Sequence, residues 1–425
     1  MKGLLAGLVA LGVLGMQYGM CDACRWALAA SHAAPIRAEM IATETSHALA
    51  TQAWDEPHLP KVAEGKFYTA KEIFDNQWKH VDGWGVGAYD PETLKPRRYR
   101  SSDAAVNDTA PHEVDAAFLA SVRNTTSQMV MTHVRASSAG EPEESNSHPF
   151  VFGQLLWMHH GGCPDHDALQ DVLKEEGVEK DEHADGVTDS EYIGALFAHY
   201  LADDLGDADA SAAQTLAERT EFSLDELRNA LYKTVQRIQK LSDEADAPSS
   251  LNFAVSDGRH LVATRYRTSD EDPPTLYYSL GSDWDPALEQ FSKVSMPVGD
   301  AHVLRGETLL VASEPLSKNE DAMRTWQPLI KDQMLSYDLE DVSSSSTQVV
   351  QATPAPSALE GLLDEVIEEL AEMHNIENVD ELRRVATIFF ESADKEDFIF
   401  NFDDIWPLAG YTLKGNAKRA VVGVG

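Results

Sequence analysis

Seven short apolar runs of strand length, interleaved with helical faces, constrain the fold of this chain more than any other feature. They are Trp84–Tyr89, Met129–Arg135, Phe152–His159, Leu251–Val255, His260–Tyr266, Leu276–Leu280 and Leu309–Ser313. Between the fourth and fifth stands Asp257-Gly258, a hairpin turn signal, because glycine supplies the positive φ that a two-residue turn needs. Helices fall between other runs. Ser223 with Glu226 makes a capping box, and Leu227, Leu231, Val235, Ile238 and Leu241 follow on one face. Residues 24 to about 335 therefore read as one mixed α/β body. Lys174 to Asp185 is charged and reads as a solvated loop.

Composition narrows the partners. Of 425 residues, 43% are hydrophobic and 25% charged, enough to bury a sizeable core. Acidic residues outnumber basic ones 71 to 34, a formal net charge of -37. Such a surface repels phosphate backbones and anionic lipid, so neither nucleic acid nor membrane is an expected partner. Three cysteines cannot make a disulfide framework.

Both ends read differently from the body. Lys2 precedes an apolar run, Gly3 to Met16, too short to span a bilayer as a helix. A basic start, an apolar core and small residues read as a signal-like leader over residues 1–23. Cys21 and Ala23 suit a cut that leaves Cys24 first. The competing reading starts translation at Met20. At the other end, Ser343–Ser346 and Pro354 with Pro356 read as a linker over residues 336–358. Leu359, Leu362, Leu363, Val366, Ile367 and Leu370 then trace an amphipathic helix. Leu382, Val385, Ala386 and Phe389 trace a second, giving an acidic helical tail over residues 359–425.

Several motifs follow one another in order. They are Cys24-Arg25-Trp26, Asp82-Gly83-Trp84-Gly85-Val86-Gly87, His133-Val134-Arg135-Ala136 and Asn146-Ser147-His148-Pro149-Phe150. Then come His159-His160-Gly161, Thr188-Asp189-Ser190-Glu191 and Ser313-Glu314-Pro315-Leu316. Together they resemble the class II glutamine amidotransferases, which are N-terminal nucleophile hydrolases. The nearest likeness is the stand-alone branch that holds the amidotransferase-like subunit of fungal glutathione degradation and the γ-glutamyl hydrolase of ergothioneine synthesis.

The resemblance implies an α+β fold, a four-layer αββα sandwich. It implies a γ-glutamyl amide hydrolase with Cys24 as nucleophile and a thioester intermediate, without cofactor or metal. Its substrate is a small γ-glutamyl compound such as glutamine or glutathione, and a protein subunit is a possible partner. It points to the cytoplasm, whereas a genuine signal peptide points to the secretory pathway. The chemistry is coherent. A free α-amine has a pKa near 8 and can take the proton of a thiol whose pKa is near 8.5. A guanidinium fork binds a carboxylate with two parallel bonds, which suits Arg135 to the substrate's α-carboxylate. Asp189 suits its α-ammonium. Asp82 and its glycines read as a tight strand that lets backbones approach.

Two positions depart from the family pattern. His160 stands where the family has the asparagine that joins the Gly161 N–H in holding the oxyanion. His80 stands where it usually has asparagine ahead of the Asp-Gly-Trp-Gly run. These departures motivate a second reading, a non-catalytic subunit on the same fold. Other readings compete locally. Cys21 and Cys24 form a C-x-x-C, and Cys21 is the nucleophile if translation starts at Met20. His160, Cys163 and His166 invite a metal reading, although no fixed motif matches. Arg135 alone suits an ordinary ion pair, and Asp189 alone a helix N-cap. The tail is too short for the synthase domain that follows the glutaminase in ammonia-transferring members.

Overall fold

The computed structural model of the protein describes residues 24–55, 80–107, 110–137, 140–163, 165–178, 186–205, 212–295, 303–305, 307–340 and 346–351. The leader and tail expectations lie outside these residues.

Among the described residues, fifteen strands build two facing sheets. They are β1 (Arg25–Ser31), β2 (Trp84–Tyr89), β3 (Pro96–Ser101), β4 (Met129–Val134), β5 (Phe150–Phe152), β6 (Leu155–Gly162), β7 (Ser250–Ser256), β8 (His260–Arg265), β9 (Tyr277–Asp285), β10 (Gln290–Val294), β11 (Val303–Arg305), β12 (Thr308–Ala312), β13 (Gln327–Pro328), β14 (Gln333–Asp338) and β15 (Ser346–Gln351). The first sheet runs β10-β9-β12-β1-β4-β2-β3, with β13 on the flank of β9. The second runs β11-β15-β14-β8-β7-β6-β5. The strand pairs are antiparallel throughout.

The period-2 alternation of strands sorts each sequence onto two faces. In β1, Trp26, Leu28 and Ala30 point into the space between the sheets, where they meet Leu156 and Met158 of β6 and Ala254 of β7. Ala27 and Ala29 point the other way, toward Phe118 and Val122 of helix α1 (Ala116–Asn124). In β6, Leu155 and Trp157 face the opposite helical layer. That layer consists of α2 (His166–Glu175), α3 (Asp189–Asp204), α4 (Ala212–Glu218) and α5 (Leu224–Ala245). Both sheets are apolar on both faces, so each needs a helical cover as well as its partner sheet. The result is the four-layer αββα sandwich.

Ser223 caps α5 as expected. Its hydroxyl accepts from the Glu226 N–H, and the Glu226 carboxylate returns to the Ser223 N–H. Three expectations need correction. The Phe152–His159 run is two strands, because Gly153 turns the chain at φ 59° and a Cβ there would meet the Leu216 carbonyl at 2.4 Å. The charged segment from Lys174 begins inside α2, which runs to Glu175. The linker over residues 336–358 is also wrong at its start. β14 runs to Asp338, and Ser346–Gln351 pairs on it, Leu335 opposite Val349. The body continues to Gln351 because Val349 and Val350 complete the sheet.

The glycines of β2 allow close approach. A Cβ on Gly85 would stand 1.7 Å from the His148 carbonyl oxygen, and one on Gly87 2.7 Å from Pro149. Backbone on both sides leaves no room to relax. Gly85→Ala is expected to cost about 3 kcal/mol or more, the upper range for overpacking. Its urea midpoint measures this, and an unchanged midpoint would show that the loop carrying His148 yields freely.

Candidate active site

The register of the first sheet brings the nucleophile candidate to Arg135. Arg25 pairs with Val134 across β1 and β4, so Cys24 and Arg135 are the next residues outward on adjacent strands. The partly exposed Cys24 Sγ donates to the Ala136 carbonyl at 3.4 Å. The second free thiol among the described residues, Cys163, is buried, and burial pushes its pKa up to about 11. A thiol so placed is a poor nucleophile, since the thiolate is the reactive form. Cys21 lies outside the described residues.

Arg135 is 3% exposed and already held in place. Its Nη1 donates to the carbonyls of Glu141 at 3.2 Å and Asp82 at 3.5 Å. Its Nη2 donates to the Ser137 hydroxyl at 3.1 Å and the Gly140 carbonyl at 3.2 Å. Asp82 has a function beyond its tight strand, because its carboxylate accepts from the Ser137 N–H at 2.7 Å.

Asp189 opens α3, but the cap is Thr188, whose hydroxyl accepts from the Glu191 N–H. The Asp189 carboxylate is bound instead by the Cys163 N–H at 2.7 Å and its neighbour's N–H at 2.9 Å. It therefore sits where β6 ends, just past Gly161 and Gly162. Asn146 ties this region to the Arg135 loop. Its amide donates to the Glu141 carbonyl at 3.1 Å and accepts from the Val187 N–H at 3.0 Å.

His159 and His160 alternate on β6 and so face opposite ways. His159 donates through Nε2 to the Ser250 carbonyl at 2.8 Å and accepts at Nδ1 from the Ser190 hydroxyl at 2.9 Å. His160 faces the other sheet. Its Nδ1 lies 3.2 Å from the Ser313 hydroxyl and its Nε2 3.5 Å from Arg25 Nη1. His160 is held between Ser313 and Arg25 near the end of β6. Gly161 follows at φ 154°, and a Cβ there would meet the Ser250 carbonyl at 2.0 Å. Only glycine fits.

The His160-Cys163-His166 triplet does not converge, because His166 stacks on Tyr192 with ring centroids 5.0 Å apart. Among the described residues, no group of three or more His, Cys, Asp or Glu is placed to hold a metal.

Buried imidazoles line the inner end of the site. The His133 and His148 rings pack with centroids 4.2 Å apart, tilted by 34°. His80 donates from Nδ1 to the Ala53 carbonyl at 3.1 Å, and its Nε2 is buried without a partner. Burial, helped by the Arg25 charge, lowers the His80 pKa to about 3. Burial, then the Arg135 charge, lowers that of His133 to about 3. His148 lies well below its ordinary value for the same reason, burial first and His133 next.

Sequence reasoning noted Arg25, Ser313 and Glu314 as familial but gave them no role. The structure gathers all three at the start of β1, with Glu314 on Arg25, Ser313 on Trp26 and Arg25 on the Cys24 carbonyl. A charge at the edge of an apolar strand run was the available signal, because burying it demands a partner.

Two facing antiparallel sheets between helical layers, with a cysteine heading the middle strand of one, define the N-terminal nucleophile type of fold. The model of the family described as glutamine amidotransferases class-II matches residues 74–359, downstream of Cys24, and the chain belongs to that family. It is 30% identical over 301 residues to a Saccharomyces cerevisiae protein named "Probable glutamine amidotransferase DUG3", covering 67% of this chain and 74% of that one. A 72-residue stretch is 36% identical to a glutamine–fructose-6-phosphate aminotransferase of Shewanella oneidensis, 17% of this chain and 11% of that one. Among solved structures, a glutamine aminotransferase class-II domain protein of Silicibacter pomeroyi aligns at TM-score 0.44 and 18% identity, covering 78% of this chain and all of the other.

Proposed function

We propose that this chain hydrolyses γ-glutamyl amides with the thiol of Cys24 once Cys24 is the first residue. The Cys24 α-amine takes the thiol proton, and the sulfur attacks the γ-carbonyl. The Gly161 N–H holds the oxyanion. Collapse expels the leaving amine, which takes the proton back, and leaves a glutamyl thioester. Water then attacks the thioester, releasing glutamate and restoring the thiol. Arg135 receives the α-carboxylate, which takes over the fork from the Gly140 and Glu141 carbonyls, and Asp189 receives the α-ammonium.

The observation that carries this reading is the β1–β4 register, which sets Cys24 beside Arg135. Its test is glutamate release from glutamine and γ-glutamyl peptides by the chain beginning at Cys24. Arg135→Lys keeps the charge but loses the fork. It is expected to lower kcat/KM about 10²-fold, the scale of a misplaced scissile bond. An unchanged kcat/KM would remove Arg135 from the site.

One observation favours the second reading, a non-catalytic subunit. His160 replaces the familial asparagine, and its ring nitrogens are directed at Ser313 and Arg25. Under that reading the Cys24-first chain binds glutamate but releases none from any γ-glutamyl amide.

A further inference from the structure

An ion pair taken out of water stabilises little and is costly to break, so a buried one beside a reactive thiol calls for a reason. Arg25 and Glu314 are such a pair, with side chains only 5% and 2% exposed. Arg25 Nε donates to Glu314 Oε1 at 2.9 Å. Its Nη1 donates to the carbonyl of Cys24 at 2.9 Å and faces His160 Nε2. The other Glu314 oxygen accepts from His47 Nε2 at 3.0 Å. The Gln52 amide ties the backbone carbonyls of His47 and Glu314 together, at 3.0 and 3.1 Å. Ser313, one residue before, pins the start of β1. Its hydroxyl accepts from the Trp26 N–H at 3.1 Å, and its own N–H donates to the Trp26 carbonyl at 2.9 Å. The dipeptide Ser313-Glu314 thus holds residues 24–26 and His160 from one end of β12.

We infer that Arg25 and Glu314 are positioning residues for the nucleophile, an inference that rests on the hydrolase reading above. Arg25 grips the Cys24 carbonyl and so fixes the residue that carries both thiol and α-amine. Glu314 sets the plane of the guanidinium through Nε and balances its charge. Charged and titratable groups face Arg25 from several elements: Glu314 after β12, His160 on β6, and His80 ahead of β2, on which its charge acts. His47 reaches the same carboxylate from the segment after β1. With Glu314 neutralised, the unbalanced guanidinium stabilises the Cys24 thiolate more strongly.

The test is alkylation of Cys24 by iodoacetamide across pH, run on the full chain and read by peptide mass spectrometry, which separates Cys24 from Cys21 and Cys163. Glu314→Gln keeps the shape and one acceptor but removes the charge. Its alkylation midpoint is expected to fall by about one pH unit, as the pKa of a thiol does when a cation beside it loses its partner. In the chain processed to Cys24, kcat on a γ-glutamyl amide falls ~10²-fold while KM holds within about twofold, because other residues read the head group. Arg25→Lys keeps the charge and loses the fork, so kcat falls with little change in midpoint. If Glu314→Gln does not fold, the double variant Arg25→Gln/Glu314→Gln removes both charges without leaving one unpaired. Its midpoint returns near that of the parent, while kcat stays low. A purely structural pair would leave the midpoint of Glu314→Gln, or the ratio of kcat to KM effects, unmoved, and either result overturns the inference. Alkylation needs no substrate. A parent inert toward γ-glutamyl amides therefore defeats the hydrolase reading while the midpoints still decide the positioning of Cys24.

Discussion

One alanine placed ahead of Cys24 is expected to lower turnover of a γ-glutamyl amide about 10²–10⁴-fold, the contribution of a positioned general base. The thiol remains, and so do Arg135 and Asp189. What disappears is the free α-amine, which becomes an amide that accepts no proton. The surrounding histidines do not take over. The His160 nitrogens are directed at Ser313 and Arg25, and His159 is bound at both nitrogens by Ser190 and Ser250. His133 and His148 are deeply buried and packed against each other. The measurement compares chains beginning at Cys24 and at the added alanine under saturating substrate. Equal rates would place the base elsewhere and defeat the N-terminal mechanism. The active chain's kcat/KM should also rise with pH through an apparent pKa near 8 or below, that of an α-amine.

Much of the fold was legible because both sheets obey a period of two over apolar runs. The β2, β4, β7, β8 and β12 ranges fall within a residue or so of their sequence readings. Where reading failed, a local signal competed. The Phe152–His159 run continues in polarity through Gly153, so only its backbone geometry reveals the turn. The serines at 343–346 read as linker, and the few residues of Ser346–Gln351 become a strand only because β14 offers an edge. In the site, Cys24, Arg135 and Asp189 were legible as motif residues. The adjacency of Cys24 and Arg135 follows from strand register, which no single motif encodes. The partnership of Arg25 with Glu314 spans 289 positions and leaves no periodic trace. The placement of His160 between Arg25 and Ser313 was likewise illegible, because both partners come from other strands or their ends.

Between pH 7.5 and pH 5 the body is expected to lose roughly 4 kcal/mol of stability through His80 and His133 alone, taking ~1.4 kcal/mol per pH unit for each below 6.5. The sign follows from proton counts. Both folded pKa values lie near 3, so the folded chain binds no proton there, while the unfolded chain binds one on each as pH drops below 6.5. Stability is present above 6.5 and is lost as pH falls toward 3. His148, displaced the same way, adds to the loss. His260 does the opposite. Burial opposes its charge, but the bond to Asp257 and the charges of Asp257, Asp338 and Glu340 win, and its pKa rises. Its contribution is complete below 6.5 and fades as pH climbs through the raised value, so it cannot rescue the acid side. A loss of ~4 kcal/mol is a large share of the 5–15 kcal/mol typical of a folded domain. The unfolding midpoint in urea should therefore drop steeply between these two pH values. His80→Asn isolates one part of the effect. Its amide N–H can still reach the Ala53 carbonyl, yet it never titrates. The variant's pH slope over this window should be shallower than the parent's by one proton. An identical slope would mean that His80 takes up its proton in the folded chain, and that water reaches its Nε2.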